Sequence, residues 1–215
     1  MKRKVITYIL ATIFALVANA QQCVDTDAIK SFVTQSPVEY KALVDRFIQA
    51  DTTLSLEELS IVYYGAPFCK DFEIGKYDAN LEELYNSAQS EEEYDVVYIV
   101  AEKAMKGNPV SFDLIVKSIV AAKNSTDDRA KSQIDNLRTR YAMIYNVIAS
   151  SGDGVTPNSP CYVISQSDKL KYLAHAFGVI EILEECEIQG CEAAKVNYLS
   201  DENVKEAIVY VKIIK

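Results

Sequence analysis

Apolar residues recur in steps of three and four along the first 150 positions of this chain, the spacing of one buried face on successive helices. The pattern predicts a first helix over Asp25 to Gln35, with Asp27 as its cap. Ser36-Pro37-Val38-Glu39 then sets out a capping serine, a proline at the first helical position and a glutamate able to reach back. Tyr40, Leu43, Val44 and Phe47 form the face behind it. Ser55-Leu56-Glu57-Glu58 is a second capping box, opening a helix that runs to Tyr63-Tyr64 and stops at Gly65. Asp78 is placed to cap a helix with Leu81, Leu84, Tyr85 and Ala88 in line, and Ser90 to Glu93 repeats the box ahead of Tyr94, Val97, Tyr98, Ala101 and Met105. Ser111 to Lys123 continues the period. A long helix from Thr126 carries Ala130, Ile134, Leu137, Tyr141, Ile144 and Ile148, with Arg138 and Arg140 expected in solvent. About seven helices joined by short turns imply antiparallel neighbours, a stack of helical hairpins.

The period changes after residue 150. Ser150 to Pro160 is rich in Gly, Ser and Pro and reads as a loop. Cys161 to Ile164 is a short strand, and Ser167 or Asp168 caps a helix through Phe177, closed by Gly178. Val179 to Ile188, Val196 to Leu199 and Ile208 to Ile214 alternate as strands, with turns at Gly190 and at Ser200 to Asn203. Helices first and strands last is the segregated α+β pattern, here a helical-hairpin array in 25–150 followed by a small antiparallel sheet of three or four strands in 151–215.

The first twenty residues stand apart. Lys2, Arg3 and Lys4 precede an apolar run from Val5 to Val17, and Ala18-Asn19-Ala20 supplies a small-x-small cleavage site. This is a signal peptide by layout, so residues 1–20 are a transport signal and 21–215 a single exported domain. The run is too short for a comfortable bilayer span, and no membrane span is expected after cleavage. Removing it takes three of 22 basic residues and no acidic one, leaving 19 basic against 31 acidic side chains, a net charge of −12. Such an excess repels phosphate backbones and makes nucleic acid a poor partner.

Export permits disulfides. Of the five cysteines, Cys186 and Cys191 are the candidate local pair, across a turn at Gly190. A single histidine excludes multi-histidine metal sites, and no CxxC suggests zinc; no metal or cofactor is expected. On the helix ending at Phe177, Leu170, Leu173, Ala174 and Phe177 make the apolar face. Lys171, Tyr172 and His175 share the other, a surface position rather than that of a general base. Ser151-Gly152-Asp153-Gly154 offers an anion nest or a calcium-binding Asp153, set against a plain tight turn. The acidic residues at helix starts are accounted for by capping, and no carboxylate pair is singled out for glycoside chemistry. The chain has fourteen tyrosines and no tryptophan. Tyr85, Tyr94, Tyr98, Tyr141 and Tyr145 lie on or beside apolar stripes, where a large apolar body with a polar tip suits either a core boundary or a groove.

Two resemblances follow from these motifs. Leu81, Leu84, Val97, Ala101, Ala104 and Pro109 fall near the spacing of one tetratricopeptide-like hairpin. More broadly, Leu59 to Tyr63-Tyr64-Gly65, Asn108-Pro109, Ser151-Gly152-Asp153-Gly154 with Thr156, and Tyr162-Val163-Ile164 before Ser167-Asp168 resemble an uncharacterised family of exported Bacteroidetes proteins, a domain of unknown function. The resemblance implies architecture and compartment: the periplasm, cell envelope or exterior of a Gram-negative bacterium. The function expected is a non-catalytic binding module for a protein, peptide or glycan, with Tyr63, Tyr64, Tyr98 and Asp153 as candidate binding residues. The alternative is a carboxylate-based hydrolase acting on glycan or peptide.

Overall fold

The computed structural model describes residues 24–74, 79–88, 91–200 and 203–214. The expected caps Asp78 and Ser90, the transport signal and Cys23 lie outside them. Among the described residues there are nine α-helices and four strands: α1 (Thr26–Gln35), α2 (Pro37–Ile48), α3 (Leu56–Gly65), α4 (Ala79–Ser87), α5 (Glu91–Ala104), α6 (Phe112–Asn124), α7 (Asp128–Ser132), α8 (Ile134–Ser151), β1 (Cys161–Val163), α9 (Gln166–Phe177), β2 (Val179–Ile188), β3 (Cys191–Ser200) and β4 (Asn203–Ile213). The fold is α+β, as the periodicity predicts.

The second capping box forms as read: Ser55 Oγ accepts from Glu58 N at 3.1 Å, and Glu58 accepts from Ser55 N at 2.7 Å. The first does not. Ser36 makes no side-chain cap bond, and its N–H is already given to Phe32 as α1 ends, so one residue closes α1 and opens α2. Asp25, not Asp27, caps α1, accepting from Ala28 N at 2.9 Å. The long helix expected from Thr126 is broken at Gln133 into α7 and α8. Ser165, not Ser167 or Asp168, caps α9 by accepting from Asp168 N at 3.1 Å.

Helix α3 is buried on nearly every side, and α1 and α2 press so close that a Cβ on Gly65 would sit 2.8 Å from both Tyr40 and Val33. Only glycine fits that crossing without displacing a ring. Helix α8 packs against both α3 and α6, which draws the hairpins onto a common core. That core joins α1–α3, α6 and α8 to β1, α9 and the inner face of β3 and β4, with Phe47, Tyr63, Phe112, Ile144, Ile148 and Val211 at its centre. A second cluster lies under α4, α5 and α7.

The sheet runs β1-β4-β3-β2 and is mixed. β2, β3 and β4 are antiparallel, but β1 pairs parallel to β4 through Cys161 opposite Val211 and Val163 opposite Ile213. This corrects the all-antiparallel expectation. Helix α9 and the β2–β3 hairpin intervene between β1 and β4, a connection long enough for a parallel pairing.

Candidate functional site

The site is built on α9. Its inward side is held by Asp168, which is fully buried and accepts hydrogen bonds from Tyr63 Oη at 2.9 Å, Ser111 Oγ at 3.1 Å and Asp113 N at 3.1 Å. Burial outweighs these donors and pushes its pKa up to about 6. Lys169, also buried, pairs with Glu185 on β2 at 2.9 Å. These two anchors rotate the helix from the expected setting. Asp168, Lys169, Tyr172 and Leu173 face inward, while Leu170 is 46% exposed. Tyr172 is therefore a core residue and not a partner of His175 on the surface.

Ser167, Lys171 and His175, each four apart, form the outward row of α9. At one end Ser167 lines a cleft of about 580 Å³, together with Asn108, Ser111, Asp113 and Lys117 of the α5–α6 connection and α6, and Lys103 of α5. Asn108 Oδ1 is buried in that wall without a hydrogen-bond partner. Lys117 Nζ is held by Asp113 Oδ2 at 2.8 Å and by Glu82, and Lys171 Nζ lies 3.5 Å from Asp113 Oδ1. The two ammonium groups sit 5.7 and 5.4 Å from the centre of the Tyr85 ring.

At the other end His175 Nδ1 lies 3.2 Å from Tyr141 Oη. The Tyr141 ring stacks on Phe112 at 5.1 Å and on Tyr145 at 5.9 Å. Tyr141 and Tyr145 are half-buried and His175 is exposed, so the three rings make a partly open ledge. Desolvation, and then the charge of Lys171, lower the His175 pKa, which leaves the imidazole neutral at pH 7.

The residues expected to bind are not brought together here. Tyr63 and Tyr64 are 0% and 1% exposed, and both hydroxyls are spent inside: Tyr63 on Asp168, and Tyr64 between the carbonyls of Tyr162 at 3.2 Å and Val147 at 3.3 Å. They are core residues, which corrects the surface reading. The unbroken apolar run Ile61-Val62-Tyr63-Tyr64 already carries that signal, since a helix apolar all round is a buried one. Tyr98 is buried in the second cluster. Asp153 is exposed and closes a turn by accepting from Val155 N at 2.8 Å. A Cβ on the preceding Gly152 would come within 2.1 Å of the Pro160 carbonyl, so the loop's glycine serves close backbone packing.

Cys186 and Cys191 are free thiols. Cys186 stands opposite Ala193 and Cys191 opposite Ile188, so the two are out of step across the hairpin rather than a facing pair. Among the described residues no group of three or more His, Cys, Asp or Glu side chains is placed to hold a metal ion, and no helix is long and apolar enough to cross a membrane.

Sequence reasoning singles out neither Asp113 nor Lys117, quotes Asn108 only within the Asn108-Pro109 motif, and misplaces Arg140. Arg140, expected in solvent, is 6% exposed. It stands three residues after Leu137 and four before Ile144, a position the stripe itself marks as buried.

A helical layer closed by a mixed sheet, with a polar cleft and an aromatic ledge joined along α9, defines an α+β protein. Over residues 27–206 the chain matches the family described as Domain of unknown function (DUF4919), and it belongs to that family. No curated protein and no solved structure matches it.

Proposed function

We infer that this protein is a non-catalytic glycan-binding module that works outside the cytoplasm. The observation that carries the reading is the row Ser167–Lys171–His175, which joins a cleft with an unpartnered acceptor to a half-open ledge of tyrosine rings. Sugars present apolar C–H faces and hydroxyl edges, and this surface offers ring faces for the first and amide, hydroxyl and ammonium groups for the second. The basic start, short apolar run and Ala-x-Ala site at the N-terminus support an extracytoplasmic location. The hydrolase alternative draws less support. Glycoside hydrolysis needs two carboxyl groups free to trade protons across the substrate. Here Asp113 and Glu82 are both tied to Lys117, and Asp168 is sealed in the core.

The test is retention of the purified protein on immobilised envelope polysaccharides and on a glycan array. Tyr145→Ala and His175→Ala are expected to weaken retention about five- to thirtyfold, the loss of one or two desolvated ring contacts at roughly 1 kcal/mol each, while melting cooperatively. Unchanged retention in both variants, or no retention of any glycan by the parent protein, would overturn the reading.

A further inference from the structure

A second cleft, of about 490 Å³, opens on the face formed by α2, the end of α5 and the start of α8. Its floor holds Arg140. Arg140 is 6% exposed, yet its described contacts are a carbonyl, a thioether and an aromatic ring, with no carboxylate among them. Nη2 donates to the Pro109 carbonyl at 2.5 Å and touches Met105 Sδ at 3.9 Å, and the Phe47 ring lies 5.1 Å away. Nε has no acceptor. Burial without a counter-charge pulls the pKa down to about 10, so the group stays cationic at neutral pH. A buried cation left one acceptor short is a costly arrangement. An arginine offers a planar fork that matches a carboxylate, and the missing partner is an anion of that shape.

The mouth of the cleft narrows the choice. Asp45, Asp71 and Glu102 line it with Lys41 and Lys106. With Arg140 the lining carries three cations and three anions, so it does not favour a ligand of net negative charge. It suits a molecule whose carboxylate goes in to Arg140 while an ammonium stays at the acidic rim. The volume is that of a small-molecule site.

We propose that this cleft binds a small zwitterionic amino-carboxylate, a free amino acid or the carboxyl-terminal end of a short peptide, with its carboxylate on Arg140. The site is separate from the α9 row, and its failure would leave the glycan reading untouched.

The test is calorimetric titration of the full exported domain with single amino acids, with di- and tripeptides, and with their C-terminal amides and N-acetyl derivatives. Binding is expected for free carboxylates. Amidation of the carboxyl group should abolish it, and N-acetylation should weaken it about tenfold through loss of the ammonium at the rim. Preference for the peptide series over single amino acids identifies the longer source, and the reverse the shorter. Arg140→Gln should abolish binding while leaving a folded protein, because it removes an uncompensated charge. If that variant fails to fold, the amide series on the parent protein decides alone. No binding of any free carboxylate at millimolar concentration, equal binding of acid and amide, or full binding by folded Arg140→Gln would overturn the proposal.

Discussion

Asp168 shows at the residue scale how a buried acid can set a site without touching a ligand. Its two oxygens collect donors from α3, from Ser111 ahead of α6, and from the first turn of α6 itself, so one side chain fixes how α9 lies against both. Its pKa rises from 3.8 to about 6 on folding, chiefly through desolvation. The folded protein therefore holds this proton more tightly than the unfolded chain. The group's contribution to stability is whole well below the unfolded value of 3.8 and is lost as pH rises through about 6. A rise of that size is worth roughly 3 kcal/mol. Asp168→Asn keeps a carbonyl acceptor and removes the titration. Urea unfolding at pH 4 and pH 7 is expected to show the parent protein losing roughly 2.5 kcal/mol more than the variant across that interval. Carboxylates held low by donors, such as Asp51 at about 2 beside Thr53 and Arg46, bend the curve the other way at lower pH, and they cancel in the comparison. Parallel profiles would show that Asp168 keeps its ordinary pKa.

Two serine caps with similar sequence signatures separate at the scale of the element. Ser55 follows a turn and is free to adopt the extended backbone that capping requires, and its box is complete. Ser36 follows α1 directly. Its backbone is spent on ending that helix, and its hydroxyl makes no cap bond. Ser55→Ala is expected to cost about 1 kcal/mol and Ser36→Ala less than about half of that, read from chemical unfolding midpoints at constant slope. Equal losses would mean that Ser36 caps in solution. The pair also marks how far local pattern reaches. Helix existence and face were legible because period and punctuation are local: Val97, Ala101 and Leu137 are buried where the stripes place them. What failed depended on partners distant in sequence. The setting of α9 follows from Tyr63 and Ser111, far upstream of Asp168. The parallel placement of β1 follows from β4 some fifty residues later. The candidate site was legible only in part: Tyr141 and Tyr145 were placed beside an apolar stripe and Lys171 and His175 on the outer face of their helix, but none of the four was among the expected binding residues, and Asp113 and Lys117 carried no local signal. Arg140 was masked by its charge, although its position agreed with the stripe.

Over the whole molecule, stability among the described residues is divided unequally between two large clusters, with a third, small one of Cys191, Ala193 and Tyr210 at the β2–β3 hairpin end of the sheet. The main one buries aromatic and branched residues from both ends of the chain, among them Phe47, Tyr63, Phe112, Ile148 and Val211. The second rests on Ala88, Ala101, Ala121, Ala122 and Ala130 with Leu81, Val97, Tyr98 and Leu137. Buried area sets the cost of opening, and alanines bury little. Helix α4 has one buried residue within its span, Leu81, and a tie to α6 through Glu82 and Lys117. Its amides are expected to exchange with solvent through local opening, at least about tenfold faster than those of α3 and α8, which exchange only when the main core unfolds. The proposed binding cleft involves the same helix, because Ala79, Asn80 and Leu81 line it beside Asn108 and Lys117. A ligand seated there binds only the folded placement of α4, so a bound glycan should slow exchange in α4 while α3 changes only with global stability. Hydrogen exchange read by mass spectrometry, with and without a glycan that the array selects, distinguishes the outcomes. Protection confined to α4 and the start of α6 places the ligand in the cleft. Protection confined to α8 and the end of α9 places it on the tyrosine ledge alone, and uniform slowing would mean that α4 is not the weak element that its alanine-rich packing implies.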